Sequence, residues 1–354
     1  MNEDCVKLTT YFGERDRAGG RFLADALLDV YGRHELQASV LLRGVEGFGV
    51  KHHLQTQRLL TLSEDLPLVT VAVDTRERIG AALRDVKELT SHGLVTLERA
   101  RMLTGHAGEI RLPEGLNEAT KLTVYCGRQE RANGKPAFVA IVELMHRHGL
   151  AGATVLLGVD GTSHGVRERA KFFARNAEVP LMIIAVGRGE TVANAASELD
   201  TLLARPLATL ERVRVCKRDG ERLADPLHVP EKDESGLPIW QKLMVHSGES
   251  AMAGGRPLYV ELIRRLRATG AVGATALRGI WGYYGGHEPH GDKLLSLQRH
   301  VPVLTVLVDT PENIRRSFEL VDELTSETGL VTSELVPAAR AVGPGYDGGM
   351  TSAW

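Results

Sequence analysis

The sequence predicts an α+β protein of three tandem modules, each in the order βαββαβ. Three observations predict it: a long internal repeat, alternating strand-like and helix-like stretches in each copy, and strands that are apolar on both faces. The repeat comes first because it decides the architecture. Lys7-Leu8, Gly13-Glu14, Gly19-Gly20, Arg43-Gly44, Gly47, Leu59-Leu60, Pro67 and Val73-Asp74-Thr75 recur without a gap 235 residues later. They return as Lys242-Leu243, Gly248-Glu249, Gly254-Gly255, Arg278-Gly279, Gly282, Leu294-Leu295, Pro302 and Val308-Asp309-Thr310. A more diverged copy starts 114 residues after the first, with Lys121-Leu122-Thr123, Tyr125, Gly127, Gly134, Gly158 and Gly161, and loses one residue before Pro180. The boundaries that follow are repeats at 1–104, 120–216 and 239–342, linkers at 105–119 and 217–238, and a Gly-rich tail at 343–354. The second linker holds Pro226, Pro230 and Pro238 among charges, which predicts an extended, exposed segment.

Within the first copy, residues 6–12 read as a strand. Gly19-Gly20 then opens a helix whose Phe22, Leu23, Ala26, Leu27 and Val30 recur at helical spacing. A second strand, 38–42, closes on Gly44-Val45-Glu46-Gly47-Phe48-Gly49, where glycine permits backbone angles that other residues resist. The third strand, 68–73, runs into Asp74-Thr75, an N-cap for a helix bearing Ile79, Ala82, Leu83 and Val86. In the last copy Pro311 follows the Thr310 cap, the favoured first helical position. A fourth strand, 94–97, completes the unit. This order is the ferredoxin-like one, an antiparallel sheet with both helices on one face. The third strands, at 68–73, 181–186 and 303–308, are nearly continuously apolar, the pattern of a strand covered on both sides. Three sheets in one chain can supply that cover by packing inward around a pseudo-threefold axis, as a monomer that imitates a homotrimer.

Composition excludes several classes. The 354 residues carry 43 basic and 45 acidic side chains, intermixed, so the electrostatic footprint of a nucleic-acid binder is missing. No apolar run approaches the about eighteen residues of a membrane helix, and residues 1–10 lack the order of a signal peptide, which predicts a cytoplasmic protein that is not membrane-embedded. Cys5, Cys126 and Cys216 are far apart, and this argues against a disulfide framework and a thiolate zinc site.

The Gly-Glu after strand one, the Gly-x-x-Gly-Phe/Tyr turn, the leucine pair, the proline before strand three and the Val-Asp-Thr cap together resemble the PII-like domain of unknown function 190. The resemblance covers nearly all of copies one and three and, less well, copy two. It implies a PII-like signalling fold with effector clefts between adjacent units and a protein partner, a membrane transporter among the candidates. It does not carry over standard ATP binding. The Gly/Lys-rich phosphate loop of PII proteins has only Thr90-Ser91-His92-Gly93, Ala204-Arg205-Pro206 and Thr325-Ser326-Glu327-Thr328-Gly329 in its place. Copy two replaces Glu14 by Arg128, Phe48 by Thr162 and Asp74-Thr75 by Gly187-Arg188, so one or two working clefts are expected rather than three.

The candidate ligand-binding residues are Arg43, Gly44, Gly47 and Gly49 with Glu14, their counterparts Arg278, Gly279 and Gly282 with Glu249, and Gly158 and Gly161 of copy two. Backbone N–H groups of such a turn beside a guanidinium make an anion nest, and a turn that simply needs glycine is the competing account. His52, His164 and His287 fall in the same loop of each copy and suit a divalent metal, against exposed loop histidines. Gly161-Thr162-Ser163-His164-Gly165 spells GxSxG, the nucleophile elbow of a serine hydrolase, but only one copy has it and the module lacks the parallel sheet an elbow needs. Glu98, Glu211 and Glu334 share one position of the last strand and suit either a ligand contact or, the favoured reading, an ion pair to an arginine of the next unit. The sequence reading is therefore a non-enzymatic PII-like regulator that binds an anionic metabolite, a nucleotide or an ion between repeats. A divalent-metal protein using the loop histidines is the alternative.

Overall fold

In a computed structural model, residues 2–50, 53–56, 65–105, 110, 118–163, 166–169, 179–232, 238–291, 301–343 and 346–347 are described. The chain is a strand-rich mixed α/β protein of three tandem repeats. Repeat 1 comprises strands Asn2–Gly13, Ala38–Arg43, Pro67–Thr75 and Gly93–Thr104 with helices α1 (Leu23–Arg33) and α2 (Arg76–Leu89). Repeat 2 has Thr120–Gly127, Gly152–Leu157, Pro180–Gly187 and Leu207–Arg212 with α3 (Ala137–Arg147) and α4 (Gly189–Ser197). Repeat 3 has Trp240–Gly248, Ala274–Arg278, Pro302–Asp309 and Leu330–Val336 with α5 (Leu258–Ala268) and α6 (Pro311–Leu324). In each repeat the strands are antiparallel in the order second, third, first, fourth.

The caps behave as their chemistry requires. The Thr75 and Thr310 hydroxyls accept from the Arg78 and Asn313 N–H groups, 3.5 and 3.4 Å away. Arg188 offers no such oxygen, and α4 has 9 residues where α2 and α6 have 14.

The repeats exchange strands in cyclic order. The segment Glu46–Phe48 of repeat 1 pairs with Ala274–Arg278 of repeat 3. Asp160–Ser163 of repeat 2 pairs with the second strand of repeat 1, and Trp281–Tyr284 of repeat 3 with that of repeat 2. A second set joins the chain ends of the repeats. The end of Gly93–Thr104 pairs with Leu207–Arg212, Arg214–Arg218 pairs with Leu330–Val336, and Ala338–Gly343 returns to pair with Gly93–Thr104. Much of the segment expected as a second linker is thus held on repeat 3, where Arg222 meets Asp225, Glu319 and Asp322 and Gln241 donates to the Leu227 carbonyl.

Both faces of the third strands are covered, by different cores. Leu181, Ile183 and Ala185 pack under α3 and α4. Met182 and Ile184, by contrast, join Val69, Val71, Val73, Leu304, Val306 and Val308 in a core shared by all three repeats. Period-two alternation disappears from such strands because neither face meets water.

Candidate functional site

The Gly-x-x-Gly-Phe/Tyr turn is where one repeat meets the next. Phe48 of repeat 1 enters the helix-side core of repeat 3, and Tyr283 enters that of repeat 2 and donates to the Leu150 carbonyl, 3.1 Å away. Thr162, at the same position of repeat 2, has no large ring to offer and instead bonds Ser39 of repeat 1 at 2.9 Å. The glycines around these anchors let backbones close up. A Cβ on Gly44, Gly47, Gly158 or Gly279 would press on Pro67, the Ala274 carbonyl, Pro180 or Pro302, and one on Gly161 or Gly282 would overlap the Ser39 or Ala153 carbonyl oxygen. The Gly44 and Gly279 N–H groups donate to the Pro67 and Pro302 carbonyls at 2.8 and 2.7 Å. Those two donors already serve the fold.

The charged members of the motif find each other: Arg43 pairs with Glu14 at 3.0 Å and Arg278 with Glu249 at 2.6 Å. Copy two has Leu157 and Arg128 at these positions, so both halves of the pair are lost together. Of the loop histidines, His52 and His164 lie outside the described residues, while His287 packs its ring 4.9 Å from that of Tyr284. Gly161 and Ser163 belong to a strand paired with Ala38–Arg43, not to a strand-to-helix elbow.

Gly49 has a different surrounding. A Cβ there would meet nothing, because Gly49 borders a cavity of about 120 Å³ at the seam of repeats 1 and 3. Tyr11, Phe48, Leu94, Val272, Val306 and Val308 give it apolar walls, and Asp16, Asp65, His53 and His92 give it polar groups. Asp16 accepts from the Gly13 N–H at 2.8 Å and Asp65 from the Arg15 N–H at 3.0 Å, so both carboxylates are held in place. Among the described lining residues there is no lysine or arginine.

On the inner face, Glu98, Glu211 and Glu334 converge until one oxygen of each lies within 4.8 Å of the others. Their partners are lysines, where sequence reasoning looked for arginines. Lys121 contacts Glu211 and Glu334 at 2.5 Å each, Lys242 contacts Glu98 and Glu334, and Lys7 contacts Glu211. Three ammonium groups neutralise three carboxylates, so the cluster has no charge left for a metal ion to balance. The signal was in the repeat itself, in which Lys7, Lys121 and Lys242 occupy one position.

A neighbouring position on the same strands holds Tyr11, Tyr125 and, in repeat 3, His246, whose ring nitrogens both lack a hydrogen-bond partner among the described residues. Burial, with the Lys121 charge adding to it, lowers the His246 pKa to about 4. The unfolded chain therefore takes this proton first, near pH 6.5. Stability is expected to fall as pH drops from about 6.5 towards about 4, by at most about 1.4 kcal/mol per pH unit. Urea denaturation over that range checks this, and His246→Tyr should flatten the slope.

Three stretches, residues 5–102, 119–215 and 240–338, match the family described as DUF190, Uncharacterized ACR. This chain belongs to the DUF190 family. Two relatives are similar to it, both UPF0166 proteins of Aquifex aeolicus (strain VF5). One is 33% identical over 92 residues, which is 26% of this chain and 86% of that protein. The other is 28% identical over 67 residues, 19% of this chain and 70% of that protein. Each match is shorter than one DUF190 repeat of this chain. Among solved structures, aspartate kinase from Synechocystis is similar at a TM-score of 0.26 and 9% identity, over 96% of this chain and 45% of that one. This chain spans less than half of that structure, and a likeness so weak carries no argument about the DUF190 fold. No helix among the described residues is long and apolar enough to cross a membrane.

Proposed function

We propose that the chain is a non-enzymatic PII-like regulator in which three ferredoxin-like repeats close into a single-chain pseudo-trimer. One seam, between repeats 1 and 3, takes a small effector. The cyclic strand exchange and the shared inner core support the closure. The observation that carries the effector site is the 120 Å³ cavity beside Gly49. Apolar walls with a few fixed polar groups are the usual make-up of a small-molecule site. An effector there touches both Gly49-Val50 and Val272-Gly273, so it binds differently when the seam shifts, and that difference is what a switch requires. Gln55 of the strand Gln55–Thr56 lines the same cavity, and this strand is where a protein partner reads the bound state.

Gly49→Tyr tests the site, because it fills open space without pressing on the seam. Wild type at about 100 times Kd gains about 2.7 kcal/mol from an effector, a melting shift of several degrees. The variant is expected to melt as wild type does without ligand and to gain nothing with it. Equal stabilisation of the two proteins would remove the cavity from consideration.

A further inference from the structure

We propose that the effector of the seam between repeats 1 and 3 is a single-ring aromatic molecule that presents hydrogen-bond donors, neutral or cationic and without phosphate, and that Tyr284 is its covalent counterpart at the next seam. The proposal rests on the cleft reading above and adds the chemical class of the ligand.

The repeat supplies the comparison. Tyr284 stands in repeat 3 where Gly49 stands in repeat 1, and Gly248 and Thr328 stand where Gly13 and His92 do. Gly13, Gly49 and His92 all line the open cavity. In repeat 3 the Tyr284 ring lies against Gly248, and its phenol oxygen is hydrogen-bonded to the Gly248 backbone and to Thr328. One seam thus fills with a six-membered ring the place that the other leaves open. The size agrees, since a cavity of about 150 Å³ holds benzene and the open one measures about 120 Å³.

The polar ends of the two seams differ in sign. In repeat 3, Ala251 stands at the position of Asp16, which leaves the Gly248 N–H for the phenol oxygen. In repeat 1, Asp16 itself takes the Gly13 N–H. A ligand in the open seam therefore meets carboxylate oxygens of Asp16 and Asp65 rather than a backbone donor. Acceptors of that kind select amines, amidinium groups and phenolic O–H, and they repel phosphate and carboxylate.

The test is calorimetric titration of the full chain with tyramine, a phenol ring carrying an ammonium group. Controls are 3-(4-hydroxyphenyl)propionate, its anionic near-isostere, and a panel of nucleotides and inorganic phosphate. Tyramine should bind at one equivalent, the propionate at least about tenfold more weakly, and Gly49→Tyr should bind neither. Tyr284→Gly should raise the stoichiometry towards two equivalents. No tyramine binding overturns the proposal even if Tyr284→Gly does not fold, since wild type and Gly49→Tyr decide it. Nucleotide or phosphate binding that Gly49→Tyr removes would overturn the ligand class and leave the cleft standing. Binding of nothing at all would remove both.

Discussion

Lys121→Met is expected to destabilise the protein by about 3–5 kcal/mol, because it leaves the three buried carboxylates with only Lys7 and Lys242 and so one negative charge uncompensated. Glu211 and Glu334, each 2.5 Å from the Lys121 ammonium, are 3% and 4% exposed and have no water to turn to. Burial pushes the Glu211 carboxyl up, and the charges of Lys121, Lys7 and Lys242 more than offset it, holding Glu211 below the usual carboxylate range. Its folded pKa thus lies below its unfolded one. The ring contributes fully above about pH 4–5 and loses that contribution as pH falls through the carboxylate range. Chemical denaturation at pH 7 and pH 4 checks both statements. The gap between Lys121→Met and wild type should be largest at pH 7 and shrink in acid. Arg43–Glu14, with side chains 44% and 34% exposed, belongs instead to the class worth about 0–1 kcal/mol. Replacing all six ring residues by apolar ones of similar volume should cost far less than the single change. The large penalty comes from the orphaned charge, not from the worth of the intact ring.

Gly282→Ala should be the most damaging small substitution at a seam. Its backbone sits at φ 149°, and a Cβ would overlap the Ala153 carbonyl oxygen of the neighbouring repeat and press on Pro302. Neither neighbour can yield. Ala153 lies in the strand paired to Trp281–Tyr284, and Pro302 opens the third strand of repeat 3. Overpacking of this kind costs about 1–3 kcal/mol, and here it falls on a contact joining two repeats. Hydrogen exchange should show the amides of Gly152–Leu157 losing protection more than those of Ala38–Arg43, which belong to a different seam. Equal loss across all seams would mean that the closure responds as one unit. No change would mean that Gly282 is not a close-packing position.

Repeat number, element order and the double covering of the third strands were legible in the amino-acid sequence because each is a local or periodic property. Val-Asp-Thr followed by a helical pattern marks a cap, and Thr75 and Thr310 do cap α2 and α6. The apolar runs at 68–73, 181–186 and 303–308 lack the period-two alternation of a strand with one wet face. The glycine turn was legible as a special backbone site, and Arg43 and Glu14 as marked residues, although not as each other's partners. The extension of the fourth strand beyond residue 97 was not legible. Arg99, Ala100, Arg101 and Met102 alternate as any half-exposed segment does, and only the neighbouring Leu207–Arg212 makes a ladder of them.

The sequence alone therefore determined what each repeat is: its strands, helices, caps and the face it must hide. The tertiary structure alone decided which residues of different repeats meet: Lys121 with Glu334, Lys7 with Glu211, Phe48 with the core of repeat 3, and Gly49 with empty space where Tyr284 fills its own seam. The reason is physical. Propensity and periodicity act over a few residues, whereas charge pairing and cavity formation depend on distances between chain segments more than a hundred residues apart, which no local pattern encodes.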